Sequence, residues 1–272
     1  ILINELPNTF QDAILVVKKL GLRYLWIDNL CIVQDNEADW KAHVTEMANI
    51  YANAFITIAA GAIEDDDGGI FNRVPLEYIK PIKFAVEVDS IVHGSYARSQ
   101  VQHYLSKNSP YEHIPLLTPG WVLQEQYLSK RYLCFGPHEI TWECREELAC
   151  SCTTFPNGYN PRAQGRSGWP HSLCNGNRIA QIAQLSSHEI KHLWQDIVCA
   201  FSQRDLTFPS DRLPALAGVA EVFKKHRSSR YLMGLWSDNV LHDLAWQRSP
   251  IDHPYGRSLE LLPSWTWAAA AK

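Results

Sequence analysis

The first 60 residues alternate between helix-like and strand-like patterns of hydrophobic positions. Apolar residues recur at helical spacing from Pro7 to Leu20, and Gly21 follows them as a predicted C-terminal cap. The run LRYLWID then predicts a buried strand from Leu22 to Ile27. A second amphipathic helix is predicted from Asn36 to Ala52, with Asn36 as its N-cap, and AFITIAA predicts another buried strand. This order predicts an α/β domain with a mainly parallel sheet flanked by helices.

The middle of the chain predicts further strands and one short helix. The segment PIKFAVEV predicts a strand, whereas residues 94–113 show no pattern that assigns them. A helix with proline in its first turn is predicted from Pro119 to Ser129. Two strand-like runs separated by Gly136-Pro137 predict a β-hairpin: Arg131–Phe135 and His138–Cys144.

The last third of the chain predicts a loop followed by helices. Residues 150–177 are rich in Gly, Pro, Ser and Asn, which is typical of a long loop. Three helices are predicted after it, at about Ser187–Ser202, Asp211–His226 and Asp238–Gln247. We therefore predict an α/β domain over 1–150, a linker over 151–186 and a helical C-terminal extension over 187–272 that packs on the domain.

Composition and charge restrict the classes of function. The chain has 272 residues, of which 46% are hydrophobic and 20% charged, as expected for a globular protein. A net charge of −4 argues against nucleic acid as the main partner, because such binding depends on neutralising phosphates. No apolar run is long enough to predict a membrane span, and the first residues lack the pattern of a signal peptide. Seven irregularly spaced cysteines favour reduced thiols, so we expect a cytoplasmic protein.

Tryptophan is unusually frequent near the end of the chain. Four of the ten tryptophans fall in the last 40 residues: Trp236, Trp246, Trp265 and Trp267. Large aromatic side chains contribute strongly to packed cores and interfaces. The C-terminal segment is therefore predicted to pack against the rest of the chain.

Asp28 is the first candidate for chemistry, because it directly follows the predicted strand. Ligands of open α/β sheets collect outside the carboxyl ends of strands, but aspartate also commonly caps turns, and both interpretations stay open. Cys31 could act as a nucleophile only with a nearby histidine base, and a buried, unreactive thiol is the favoured interpretation. For Gln34 and Asp35 a loop and a helix cap are favoured.

Trp121 and Glu125 form the second candidate, since their i, i+4 spacing puts them on one helix face. A carboxylate beside tryptophan is desolvated, which raises its pKa and suits proton transfer or stabilisation of a cationic intermediate. In the alternative interpretation, Glu125 bonds its neighbours while Trp121 fills the core.

No metal site is predicted. Cys144, Cys150 and Cys152 have the spacing C-x5-C-x-C, which differs from the paired C-x2-C of structural zinc sites. The run Asp65–Asp67 lacks the alternating ligands of a calcium loop and predicts a solvated turn. Four charged residues around LTFPS predict an ion-pair cluster at a helix start: Arg204, Asp205, Asp211 and Arg212.

Three blocks of the chain resemble the fungal heterokaryon-incompatibility (HET) domain. Leu6–Trp40 resembles its central block, with a helix, Trp-Ile-Asp and Cys-Ile-x-Gln, and Met47–Ala60 resembles the next block. Leu117–Cys144 is similar to the block with Gly/Ala-Trp-x-x-Gln-Glu and a hairpin. The family usually begins with a strand that resembles Leu-Ser-Tyr-x-Trp-Gly, and this sequence starts after that point.

The resemblance implies a TIR-like fold and a set of site residues. In catalytic TIR domains, a glutamate at the spacing of Glu125 supports cleavage of NAD, so Glu125 is the implied catalytic residue. Asp28, selected by its position after the predicted strand, is the second candidate and would hold a ribose hydroxyl. Five residues are the implied ligand-binding set: Trp26, Cys31, Gln34, Trp121 and Gln124. NAD would be a substrate, and no resident cofactor is implied.

Two functions follow from the resemblance. The first is non-self recognition and programmed cell death, in which regulatory proteins of the incompatibility system trigger self-assembly, with or without NAD(P) hydrolysis. The alternative is an enzyme of fungal secondary metabolism that converts or cyclises a small molecule in a pocket of this fold.

Overall fold

The computed structural model describes residues 2–63, 67–71, 76, 80, 82–88, 91–97, 114–146, 148–151, 179–247 and 262–270. The chain divides into two compact units, each built from several segments. One comprises Ile1–Ile27, Ile56–Leu116 and Arg131–Pro170, and we call it the sheet unit. The other comprises Asp28–Phe55, Leu117–Lys130 and His171–Lys272, and we call it the helical unit. The predicted boundaries near 150 and 186 stay predictions.

Helix α1, Asn8–Lys19, belongs to the sheet unit and confirms the first predicted helix. It ends at a glycine as expected, because Gly21 has φ +70°, a left-handed conformation that costs glycine little. Ala13 and Val16 on its buried face pack with Phe135 and Ile58.

The main sheet of this unit has the strand order β1-β4-β5-β6. Its strands are β1, Thr57–Ala59; β4, Arg131–Phe135; β5, Ile140–Cys144; and β6, Leu148–Cys150. Strands β1 and β4 are parallel, and the other two pairs are antiparallel. The predicted hairpin is confirmed as β4 and β5, with Gly136 N–H donating to the carbonyl of Glu139 at 2.9 Å. A separate antiparallel pair is formed by β2, Ile82–Val88, which confirms the strand PIKFAVEV, and β3, Ile91–Ala97.

The α/β class is confirmed, but two details of the prediction are wrong. Residues 22–27 form no strand. Tyr24 in this segment is 84% exposed, which a strand buried on both faces would not allow. The sheet is mixed rather than mainly parallel among the described strands, because short turns join β4, β5 and β6, and short turns permit only antiparallel pairing.

The helical unit contains six described α-helices. They are α2, Asp28–Cys31; α3, Glu37–Asn53; α4, Trp121–Leu128; α5, Ser187–Ser202; α6, Pro214–Lys224; and α7, Val240–Asp243. A small hairpin joins β7, Tyr231–Leu232, to β8, Leu235–Trp236. The predicted cap of α3 is confirmed, since Asn36 Oδ1 accepts from the N–H groups of Ala38 and Asp39 at 3.0 and 3.1 Å. Helix α5 has the predicted bounds, whereas α6 and α7 are shorter than predicted.

Aromatic residues around α5 form the core of the helical unit. Trp194 and Trp236 are fully buried and pack edge to face at 5.7 Å, and Phe223 packs on Trp194 in the same way at 5.2 Å. The indoles of Trp194 and Trp267 both donate to the carbonyl of Gly234. These contacts confirm that the tryptophan-rich C-terminal segment is packed. The unassigned residues 98–113, Asp65 and Asp66, Cys152 and most of the predicted linker lie outside the described residues.

Candidate functional site

Four side chains from separate segments of the helical unit interact at one place. Asp28 begins α2, Tyr51 lies in the last turn of α3, Glu125 lies in α4, and Arg204 follows α5. Tyr51 hydrogen-bonds Glu125, and the charges of Asp28 and Arg204 both act on Glu125. We call these four residues the Glu125 cluster.

Glu125 has an unusual proton affinity. Burial raises the pKa of Glu125 from 4.5 to about 7, because desolvation penalises the charged carboxylate. The hydrogen bond from Tyr51 opposes this rise in pKa, the negative charge of Asp28 adds to it, and the guanidinium of Arg204 opposes it. At neutral pH the carboxyl of Glu125 can therefore both hold and release a proton.

Tyr51 acts as a hydrogen-bond donor in this cluster. Burial raises the pKa of the Tyr51 hydroxyl far above its ordinary value, and the charges of Glu125 and Asp28 raise it further. The hydroxyl therefore keeps its proton at any physiological pH. It donates a hydrogen bond to the carboxylate of Glu125.

Asp28 differs from Glu125 in its exposure. Its side chain is exposed, and Oδ1 accepts from the N–H of Asn29 at 2.8 Å. Asp28 thus makes a local turn bond and also acts electrostatically on Glu125, so both interpretations drawn from the sequence keep support. The cluster pairs a solvated carboxylate with a desolvated one.

Comparison with known families bears on this region of the chain. Residues 1–125 match the family described as Heterokaryon incompatibility protein (HET). This part of the chain is therefore similar to the HET family. The matched segment includes Asp28 and Tyr51 and ends at Glu125, whereas Arg204 lies outside it. No curated protein and no solved structure matches the chain. None of the helices that the structure describes has the length and apolarity needed to cross a membrane.

Two residues of the Glu125 cluster are not predicted as site residues by the sequence. In the sequence, Tyr51 is one of the apolar positions of the helix predicted from Asn36 to Ala52, and nothing there indicates that its hydroxyl has a partner 74 positions away. The sequence predicts that Arg204 belongs to an ion-pair cluster with Asp211. It is 6% exposed, and its guanidinium donates to Gln126 Oε1 at 3.4 Å. A buried arginine cannot be distinguished from an exposed one by sequence spacing alone.

Trp121 lies in the first turn of α4, and its indole makes the contacts that hold it in place. Nε1 donates to Asp211 Oδ2 at 3.2 Å, and the ring packs against the core of the helical unit. The backbone of Asp205 bonds to Thr118 and Gly120 at 2.8 and 2.7 Å, which secures the start of α4. These contacts favour a structural role for Trp121 that fixes α4, and with it Glu125.

Gln124 lies next to Glu125 but is held in a different way. It is 1% exposed, and its Oε1 accepts from the N–H of Gly218 at 2.8 Å. A Cβ at position 218 would lie 2.3 Å from the Cβ of Ala48, so only glycine permits this close approach of α3, α4 and α6. Gln124 also lines a cleft of about 440 Å³ between these three helices, which we call the Gln124 cleft.

The structure brings the remaining predicted site residues only partly together. Gln34 is exposed, and its Nε2 donates to the carbonyls of Ile32 and Asp28 at 3.0 and 3.4 Å, as expected for a turn residue. The thiol of Cys31 is exposed, so the favoured interpretation of a buried thiol is wrong: α2 is a single turn with no buried residue. Trp26 is partly buried and belongs to the sheet unit.

Proposed function

We propose that this HET protein acts in fungal non-self recognition and programmed cell death, and that NAD(P) hydrolysis at the Glu125 cluster is its chemistry. The match of residues 1–125 to the HET family supports the biological role, because that family is described as heterokaryon incompatibility protein. The observation that supports the chemistry is the partly buried Glu125, whose pKa is about 7 and which accepts a hydrogen bond from Tyr51.

Hydrolysis of NAD breaks the bond between ribose and nicotinamide. The electron pair of that bond leaves with nicotinamide, which departs as a neutral molecule, and the ribose carbon becomes an oxocarbenium ion. Water then attacks this carbon and loses a proton, which yields ADP-ribose. Nicotinamide is a good leaving group, so the reaction depends on stabilising the developing positive charge rather than on a general acid.

In this proposal, Glu125 supplies the stabilising charge. A cationic substrate lowers the pKa of a desolvated carboxyl, so approach of NAD favours ionised Glu125 opposite the charge that develops. The Tyr51 hydrogen bond orients the carboxylate, and the exposed Asp28 holds a ribose hydroxyl. Trp26, Cys31, Gln34, Trp121 and Gln124 stay candidates for ligand contacts.

Regulated self-assembly is the proposed control of this activity. Regulatory proteins of the incompatibility system would trigger assembly in the cytoplasm, and assembly would order the cluster for turnover. Turnover per protein molecule is then expected to rise with protein concentration, which light scattering and a nicotinamide assay can follow in parallel.

The chemistry is tested by incubating concentrated protein with NAD and separating released nicotinamide by chromatography. Replacing Glu125 with Gln keeps its size and removes its charge, so release should fall by about 100-fold or more, as when a major electrostatic contribution to catalysis is lost. Glu46→Gln is the matched control, since Glu46 is an exposed acid on α3 and should leave release unchanged. Equal release from Glu125→Gln and the parent protein, both folded by circular dichroism, would refute the role of Glu125.

The Gln124 cleft favours a second candidate function. A pocket of this volume with a buried amide suits a small, largely apolar molecule with a hydrogen-bonding group. An enzyme of secondary metabolism would bind such a substrate there. No nicotinamide release at any concentration, together with melting temperatures that rise with small aromatic carbonyl compounds, would favour this alternative.

A further inference from the structure

Two histidines meet at the exposed start of α5. His188 and His192 are one helical turn apart, and both are exposed. Their Nε2 atoms lie 3.1 Å from each other, and the two ring centroids are 4.3 Å apart. Both side chains therefore present the same ring nitrogen to one point in solvent.

The helix that carries this pair is firmly held. Its N-cap is a capping box, in which Ser186 Oγ accepts from the N–H of Glu189 and the Glu189 carboxylate accepts from Ser186. The opposite face of α5 is buried in the core through Ile190 and Trp194. The backbone spacing of the two histidines is thus fixed before any ligand arrives.

The distance between the two nitrogens suits chelation of one metal ion. With bonds of about 2.0–2.1 Å from metal to imidazole nitrogen, a separation of 3.1 Å corresponds to an angle of about 100° at the metal. That angle lies between the octahedral and tetrahedral values. In the absence of metal, one proton can lie between the two Nε2 atoms in a hydrogen bond. A metal cation that replaces this proton would bind to the lone pairs of both nitrogens.

The charged side chains of Lys191 and Glu189, which neighbour the two histidines on α5, have other partners. Lys191 is directed to Asp238, where Nζ lies 3.7 Å from Oδ2 and 3.1 Å from the carbonyl oxygen. Glu189 is engaged with Ser186. The described residues contain no group of three or more His, Cys, Asp or Glu that could hold a metal, so among them a site here has two ligands.

We propose that His188 and His192 form a binding site for a late first-row divalent cation such as Ni²⁺, Cu²⁺ or Zn²⁺. Imidazole nitrogen suits these ions, whereas Mg²⁺ prefers oxygen ligands. Water fills the remaining coordination positions. The site belongs to α5 and does not depend on the chemistry of the Glu125 cluster.

Calorimetric titration of the full chain with Ni²⁺ under reducing conditions tests the proposal. The variants are His188→Gln and His192→Gln, and the matched control is His226→Gln, which changes an exposed histidine at the end of α6. All three keep the size of the side chain at exposed positions, so melting temperatures without metal should agree. The cysteine thiols are the same in every protein, so a difference in Ni²⁺ binding between the variants is due to His188 and His192.

The parent protein and His226→Gln should each bind Ni²⁺ at one site of equal affinity. Loss of either ligand should weaken that site by about tenfold or more, since even second-shell changes cost that much at metal sites. Zn²⁺ should bind at the same site, because imidazole nitrogen suits it, and Mg²⁺ should give no heat of binding. Added Ni²⁺ should raise the melting temperature only where both histidines are present. Equal binding by all four proteins, or no binding by the parent, would overturn the proposal.

Discussion

The Glu125 cluster and the Gln124 cleft involve adjacent residues of one short helix, yet the buried Gln124 and the partly buried Glu125 are stabilised in opposite ways. Gln124 is neutral, almost fully buried and bonded to the backbone of Gly218. Glu125 can be charged, and its surroundings only partly compensate for its desolvation. A satisfied amide strengthens helix packing, whereas a poorly compensated carboxyl lowers stability and is the kind of group that active sites retain.

The largest expected effect is on the pH dependence of stability. Folded Glu125 keeps its proton to about pH 7, whereas an unfolded glutamate releases it near 4.5. The folded state binds more protons in this window, so the free energy of unfolding falls as the pH rises through it. The full loss amounts to about 3 kcal/mol at most, at 1.36 kcal/mol for each pH unit.

Glu125→Gln should remove this dependence, because glutamine does not ionise. The variant should be more stable than the parent at pH 8 and nearly equal to it at pH 4.5, as urea denaturation at a series of pH values can measure. Glu46→Gln serves again as the control and should follow the parent. If the free energy of unfolding of the parent rose between pH 4.5 and 7 relative to that of Glu125→Gln, the folded state would stabilise the ionised carboxylate, which would contradict the prediction.

The substitution Gly218→Ala tests the helix packing around the Gln124 cleft. The added methyl group would overlap Ala48 and the amide of Gln124, so we expect the free energy of unfolding to fall by about 1–3 kcal/mol. Gly94→Ala is a matched control in β3, where the nearest atom to an added Cβ is 3.6 Å away on the flexible side chain of Lys83. Similar losses in the two variants would contradict the close approach of α3, α4 and α6.

Elements that depend on local signals were predictable, and contacts between distant segments were not. The cap at Asn36, the bounds of α5 and the hairpin around Gly136 all follow from residues close in sequence. The segment 22–27 has strand-like composition but forms no strand, because a strand also needs a partner and composition does not specify one.

The same limit applies to the candidate site. Glu125 and Asp28 were selected from the sequence by a family resemblance and by position. The environment of Glu125 depends also on Tyr51 in α3 and on Arg204 just after α5, and neither residue carries a local signature. Which neighbours desolvate or neutralise a carboxyl is a property of the folded chain, so the pKa of Glu125 could be anticipated in direction only.

Tyr51→Phe should have an intermediate effect on the Glu125 cluster. Removing the hydroxyl removes a hydrogen bond that favours ionised Glu125, and such bonds to charged groups contribute about 1.5 kcal/mol, or about one pH unit. The pKa of Glu125 should therefore rise above 7, and the midpoint of any pH-dependent nicotinamide release should move in the same direction. In Tyr231→Phe, a control at another buried tyrosine, the midpoint should stay with the parent. An unchanged midpoint in Tyr51→Phe would remove Tyr51 from the cluster.

The smallest effect is expected for Gln34→Ala, because the side chain of Gln34 is exposed. Its two hydrogen bonds to the carbonyls of Ile32 and Asp28 compete with water, so removing them should change the free energy of unfolding by less than about 0.5 kcal/mol. If Gln34 only closes the turn after α2, nicotinamide release should also stay within about twofold of the parent, since twofold corresponds to about 0.4 kcal/mol. A large fall in release at unchanged stability would instead make Gln34 a ligand contact, and would extend the Glu125 cluster along α2 towards solvent.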